Sequence, residues 1–181
     1  MIRVVILGAT GSVGKNALDV IRRFPEHFTV TALAAKQNVS ELEKSAIEFN
    51  PELLALENPH AALELQSRLQ RPVLSGQSGL VACAQHENAD VVLAAIVGSA
   101  GLTSTYKAIE AGRCVALANK EALVMAGALL MPLLKKTGAQ LIPVDSEHSA
   151  IAQCLQQTSK QAISRLLLTA SGGPFVGYSR E

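Results

Sequence analysis

Ile2-Arg3-Val4-Val5-Ile6-Leu7-Gly8-Ala9-Thr10-Gly11-Ser12-Val13-Gly14 decides the reading of this chain. A short β-branched run ends in a turn whose glycines fall every third residue. Beyond it Val13, Ala17, Val20, Ile21 and Phe24 recur at helical intervals while Lys15, Arg22 and Arg23 fall elsewhere, and Pro25 stops the helix. Between a strand and a helix, a tight turn, close approach of backbone to phosphate and helix packing each favour glycine. The spacing is G-x-x-G-x-x-G, so the loop is one residue longer than in the commonest dinucleotide fingerprint. Stripped of its context, the same stretch is a plain glycine-rich turn.

Working outward, further strand-like runs occupy Phe28–Ala34, Leu53–Leu56, Asp90–Ile96, Arg113–Ala118 and Gln140–Val144, separated by stretches of helical periodicity. Ser40 with Glu43 has the form of a capping box, and Asn58-Pro59 that of an N-cap followed by proline. Gly112 and Gly138 suit helix C-termini. The alternation defines an α/β fold, a Rossmann-like doubly wound parallel sheet over residues 1–144. After Val144 the text turns polar; Ser164–Thr169 reads as one more strand, and the glycine-rich segment after it should feed a further element. Residues 145–181 are therefore expected to begin a second, catalytic α/β domain that is incomplete here.

The 181 residues are 49% hydrophobic and 17% charged, with sixteen Lys and Arg against fifteen Asp and Glu. A domain of that length buries roughly 70% of its unfolded surface without needing staples. A formal charge of +1, no basic block and six Tyr and Phe in all give no footprint for nucleic acid. Cys83, Cys114 and Cys154 have no metal or disulfide spacing and read as small buried hydrophobes in a reducing compartment. The longest apolar run, Ala122 to Leu134, contains Pro132 and is too short to span a bilayer. The opening strand leaves no room for a leader, so the expectation is a cytoplasmic protein without a membrane partner.

In an open parallel sheet, ligands gather beyond the carboxyl ends of the strands. About twenty residues past the glycine loop, NAD enzymes place an acid on the ribose 2′-hydroxyl. Here Ala34-Ala35-Lys36-Gln37-Asn38 holds no carboxylate there, and Lys36 offers a cation to a 2′-phosphate, which favours NADP over NAD. Gly98-Ser99-Ala100-Gly101 is either a close-approach loop for the nicotinamide half or a turn before a helix. In Asn119-Lys120-Glu121, Asn119 suits an N-cap and Glu121 the helix dipole, which leaves Lys120 for an anionic or carbonyl ligand. Asp145 and Glu147, if extended, project to one side about 6.5–7 Å apart and can clasp Mg²⁺ or Mn²⁺. The lesser alternative is that Asp145 or Ser146 caps the next helix while Glu147 is solvated.

ILGATGSVG, LDVIRRFPEHF, IVGSAGL, LANKEALV, VDSEHSAI and the terminal TASGGPF occur in that order and together resemble the 1-deoxy-D-xylulose 5-phosphate reductoisomerases. The resemblance implies NADPH and a divalent metal as cofactors, a phosphorylated sugar substrate, and a product, 2-C-methyl-D-erythritol 4-phosphate, that feeds isoprenoid synthesis. It implies that Thr10, Gly11, Ser12 and Val13 hold the pyrophosphate, with Lys36, Gln37 and Asn38 near the adenosine ribose. Asn119 and Glu121 then face the nicotinamide. Lys120, Ser146, Glu147 and Ser171 bind substrate, Lys120 and Glu147 act in catalysis, and Asp145 and Glu147 ligate the metal. Where the family often has Gly-Lys-Asn, this chain has Lys36-Gln37-Asn38, so its cation is displaced by one residue.

The resemblance also implies a longer protein, whose remainder supplies another metal-binding Glu, a substrate His, more phosphate ligands and most of a dimer interface. The 181-residue chain is then expected to lack turnover by itself. Two other classes stay open: a stand-alone dinucleotide-binding module without chemistry, and a semialdehyde-dehydrogenase type of reductase. The second needs a catalytic cysteine at a helix start, where none of the three lies.

Overall fold

A computed structural model describes residues 1–169, 172 and 177–179. It divides into two units, Met1–Ile142 and Pro143–Glu181.

In the first unit the chain alternates β1 (Ile2–Leu7), α1 (Ser12–Arg23), β2 (Phe28–Ala35), α2 (Val39–Phe49), β3 (Leu53–Leu56), α3 (Pro59–Leu69), β4 (Leu74–Ser75) and α4 (Gly76–Ala84). It continues through β5 (Val91–Ala94), a 3-10 turn at Gly98–Gly101, α5 (Leu102–Glu110), β6 (Cys114–Leu117) and α6 (Glu121–Thr137) to β7 (Leu141–Pro143). The sheet runs β4-β3-β2-β1-β5-β6-β7, and the pairs linking β4 through β6 are all parallel. The order reverses between β1 and β5, which is where a doubly wound sheet opens a crevice at its carboxyl edge.

Both faces of the sheet are covered, as a parallel sheet requires. Val5, Leu7, Ala32, Val92 and Val115 meet α4, α5 and α6 residues such as Leu80, Ile109 and Leu130 on one face. Val4, Ile6, Leu33, Leu54 and Leu56 meet Leu18, Ile21, Leu42 and Leu65 of α1 to α3 on the other. Successive strand residues point to opposite faces, so β-branched, leucine and alanine side chains fill both layers, with Thr31 of β2 buried among them.

Several local expectations need correction. On α1 the buried stripe is Gly14, Leu18 and Ile21, while Val20 and Phe24 are about half exposed. The capping box expected at Ser40 and Glu43 does not start α2; Asn38 does, its side-chain oxygen accepting from the Glu41 N–H at 3.2 Å. Asn58 caps α3 through the Ala61 N–H, with Pro59 in the first turn. Cys83 is buried and its thiol is pushed up to about 12 by desolvation, but Cys154 is exposed.

The second unit contains α7 (Ser146–Leu155) and a 3-10 turn at Lys160–Ala162. The strand expected at Ser164–Thr169 is absent: those residues carry no regular structure, and Leu166, Leu167 and Leu168 are all exposed. An apolar run becomes a strand only where a neighbouring strand takes its backbone groups, and none does so among the described residues.

Candidate functional site

The site is built around the turn between β1 and α1. Gly8 has φ +94°, and a Cβ there would lie 2.6 Å from the Ala95 carbonyl oxygen. Its absence lets the end of β1 close against the exit of β5, while the Gly8 and Ala9 amides donate to the Ala34 carbonyl at 2.8 and 2.9 Å. A Cβ on Gly14 would run into the Gly8 oxygen and the Ala9 backbone, so the first turn of α1 sits directly on the loop. Gly11 is the N-cap, no side chain caps the helix and no acid occupies its first turn. The orphan amides of that turn and the positive end of the helix dipole face whatever lies beyond Thr10 and Gly11, which is what a phosphate needs.

Thr10 and Gly11 line a cleft of about 230 Å³ together with Gly8, Ala35, Lys36, Glu57, Leu80, Ala95, Ile96, Val97 and Ala100. Among the predicted cofactor residues, Thr10, Gly11 and Lys36 are therefore brought together, and Ser12 and Val13 open the helix beside them. Gln37 follows Lys36 on the exposed rim, and Asn38 spends its side-chain oxygen on capping α2. Another lysine near the loop, Lys15, is committed elsewhere. It pairs with Glu41 at 2.7 Å, and hydrogen bonds from Lys15 and Lys44 hold the Glu41 carboxyl below its usual range.

Sequence reasoning missed Glu57. Its signal is its position: Glu57 directly follows Leu53–Leu56, at the carboxyl edge of the sheet, just as Lys36 follows Phe28–Ala35. Ile96, Val97 and Ala100 fall in the loop already singled out as a close-approach candidate.

On the other side of the crevice, Asn119 is 3% exposed and does not cap α6 as expected. Its Nδ2 donates to the carbonyls of Ile96 at 2.6 Å and Gly98 at 2.9 Å, tying the end of β6 to the loop after β5. Its Oδ1 is buried and has no hydrogen-bond partner among the described residues. An orphan buried acceptor carries a desolvation cost, which a ligand bearing an amide N–H removes. Lys120, exposed, stands at the start of α6 and Glu121 occupies the first turn, where its charge complements the dipole.

In the second unit Asp145 and Glu147 do not form an extended pair of acids. Asp145 is the N-cap of α7, its Oδ1 accepting from the His148 N–H at 3.4 Å and lying 2.6 Å from His148 Nδ1. Glu147 sits in the first turn and accepts from the Ser146 hydroxyl at 2.7 Å. The helix wins because the Asp145 carboxylate can satisfy an orphan amide there. Among the described residues no three His, Cys, Asp or Glu side chains gather as a metal site. Ser171, expected to bind substrate, lies outside the described residues. No described helix is long and apolar enough to cross a membrane.

Fold and cleft together define a Rossmann-type α/β domain whose glycine loop and uncapped helix open into a cleft at the crossover of the sheet. The family is narrower than that. The family model for 1-deoxy-D-xylulose 5-phosphate reductoisomerase matches residues 4–127, and the model for its C-terminal domain matches residues 141–181. The chain belongs to the 1-deoxy-D-xylulose 5-phosphate reductoisomerase family. It is 49% identical over 178 residues to the reductoisomerase of Thermodesulfovibrio yellowstonii, covering 98% of this chain and 47% of that protein. A Zymomonas mobilis reductoisomerase solved in complex with NADPH superimposes with a TM-score of 0.90 at 41% identity, over 98% of this chain and 48% of that one. A reductoisomerase solved with magnesium gives the same score at 41% identity, over 99% and 48%. The chain thus spans about half the length of the relatives it matches.

Proposed function

We propose that the chain supplies the NADPH-binding part, and the opening of the catalytic part, of a cytoplasmic reductoisomerase. Its substrate would be 1-deoxy-D-xylulose 5-phosphate and its product 2-C-methyl-D-erythritol 4-phosphate. The observation that carries this reading is the uncapped α1 N-terminus opening, with Lys36, into one cleft at the crossover of the sheet. Solved relatives of the same family are complexes with NADPH and with magnesium.

In this reading residues 1–144 form the cofactor domain. Thr10, Gly11, Ser12 and Val13 hold the pyrophosphate on backbone amides, and Lys36 meets the 2′-phosphate with Gln37 and Asn38 at its rim. Asn119 presents its orphan Oδ1 to the carboxamide end of the cofactor, and Glu121 lies beside it. Residues 145–181 open the catalytic domain. Lys120 holds the substrate and stabilises the charge that develops on its carbonyl oxygen. Ser146 and Ser171 bind the sugar phosphate.

Asp145 and Glu147 are hard oxygen donors suited to Mg²⁺ or Mn²⁺, but two carboxylates are only part of a ligand set. A bound divalent ion polarises a carbonyl oxygen. The further donors, like most of a homodimer interface, would come from the half of the family's length that this chain does not span.

Titration of the chain with NADPH and NADH, followed by an assay of substrate-dependent NADPH oxidation with Mg²⁺ and Mn²⁺, tests the proposal. NADPH-selective binding without turnover is the expected result. Equal affinity for NADH, or loss of nothing in Lys36→Ala, would overturn the cofactor assignment. Turnover by this chain alone would overturn the division of the site.

A further inference from the structure

Glu57 is the one acidic residue among those lining a cleft whose other features attract anions. Its place is set by the sheet. The Glu57 amide donates to the Ala35 carbonyl at 3.0 Å and the Asn58 amide to that of Lys36 at 2.9 Å, so the exits of β2 and β3 are laced together. Asn58 turns its own side chain to the cap of α3, which leaves Glu57 as the polar group that β3 contributes to the cleft. The residue is half-buried, and among the described residues its carboxylate is in no ion pair, with Lys36 or any other cation.

A carboxylate there works against a phosphate but not against every part of a dinucleotide. Moving outward from the pyrophosphate loop at β1, the sheet presents β2 with Lys36 and then β3 with Glu57. Neighbouring strands are about 4.8 Å apart, so Glu57 stands roughly 10 Å from the loop, two strands along the direction the adenosine half must take. Ribose and its phosphate fall over β2, and the base falls over β3. An ionised carboxylate accepts hydrogen bonds and donates none. The group of adenine that matches it is the exocyclic 6-amino group.

We infer that Glu57 reads the edge of the base: its carboxylate accepts the 6-amino group of adenine, so the adenosine end of the cleft selects a 6-aminopurine over a 6-oxopurine dinucleotide. This rests on the NADPH reading above. A 6-oxopurine would place its own carbonyl oxygen against the carboxylate and leave two acceptors facing each other.

The test compares NADPH with its hypoxanthine analogue, reduced nicotinamide hypoxanthine dinucleotide phosphate, by titration of the full chain. A hydrogen bond to a charged acceptor predicts a preference for NADPH of about tenfold or more in the wild type. In Glu57→Gln the amide can donate or accept, so the two ligands should bind within about threefold of each other. Unchanged thermal melting shows that this near-isosteric variant is folded. If NADPH binds the wild type but no preference is seen, or the preference survives Glu57→Gln, this inference falls and the cofactor assignment stands. If Glu57→Gln tightens both phosphorylated ligands equally and leaves NADH unchanged, the carboxylate faces the 2′-phosphate and the inference is overturned. If NADPH does not bind the wild type at all, both readings fall.

Discussion

The two units of this chain are made differently. In Met1–Ile142, Val5, Ile6, Leu33, Leu42, Leu65 and Ile109 are 0% exposed, and two packed layers enclose the sheet. In Pro143–Glu181 no described residue is buried, α7 included. Burial is the main force that offsets the chain's conformational entropy, so the first unit can hold its loops in place and the second has little with which to do so. The consequence is chemical as well as structural. The cleft residues lie at the ends of strands and helices locked by packing, whereas Asp145 and Glu147, the proposed metal ligands, stand on a helix none of whose residues is buried, so packing contributes little to placing them.

The contrast is broken or upheld most directly by truncating one side chain in each unit. Leu33, on β2, is in register with Ile6 of β1 and Leu54 of β3 and belongs to the core cluster that includes Leu42 and Ala46 of α2. Leu33→Ala should cost about 2–5 kcal/mol in urea unfolding. Ile151→Ala on α7 should fall within about 0.5 kcal/mol of wild type, as for a surface position. A comparable loss at Ile151 would mean that α7 is packed in solution.

Glycines give a smaller version of the same comparison. Gly14 has backbone of Gly8 and Ala9 where a Cβ would go, while among the described residues nothing lies within 4 Å of where a Cβ on Gly172 would go. Backbone cannot swing aside as a side-chain tip can, so Gly14→Ala should lift α1 off its loop. The expected cost is about 1–3 kcal/mol, together with a loss of NADPH affinity of tenfold or more. Gly172→Ala should leave the unfolding curve unmoved. If Gly14→Ala keeps its nucleotide affinity, the seat of α1 on the loop is not what shapes the phosphate site.

What could be read in advance follows from how local each determinant is. The glycine loop, β1, β2, β3, β5 and β6 were legible because β-branched runs and turn residues act within a few positions of themselves. β4 is two residues long and offers no period to detect. Leu166 to Leu168 look like a strand but lack the partner that would make them one. Asn119 was misread as a cap because its amide bonds to Ile96 and Gly98, more than twenty residues away, leave no local mark. Asn38 shows the reverse: the cap box at Ser40 and Glu43 was plausible locally, and a better acceptor stood two residues earlier. Asp145 and Glu147 depended on whether the chain stayed extended, a choice that the residues alone left open.

The smallest effect sharpens the comparison at the amino end of the sheet, where β1 and β5 are pinned by charge rather than by burial. The Arg3 guanidinium donates to Asp90 through Nε at 3.0 Å and Nη2 at 2.8 Å, and the Arg3 backbone amide donates at 2.8 Å. Side-chain hydrogen bonding from Arg3, then its backbone amide, holds the Asp90 carboxyl well below the usual carboxylate range. A carboxyl whose pKa is depressed on folding contributes stability that is fully present above its unfolded value, about 3.9, and is lost as pH falls through the folded value. Both side chains are about two-fifths exposed, so solvent and salt screen the pair and the contribution is small. Unfolding of wild type and Asp90→Asn, followed from pH 6 to pH 2, should show a modest advantage for wild type at pH 6 that shrinks below pH 4 and shrinks further in high salt. An advantage that stays constant through that range would mean that Asp90 stabilises the β1–β5 edge by shape and neutral hydrogen bonding, leaving charge no part in holding the well-packed unit together.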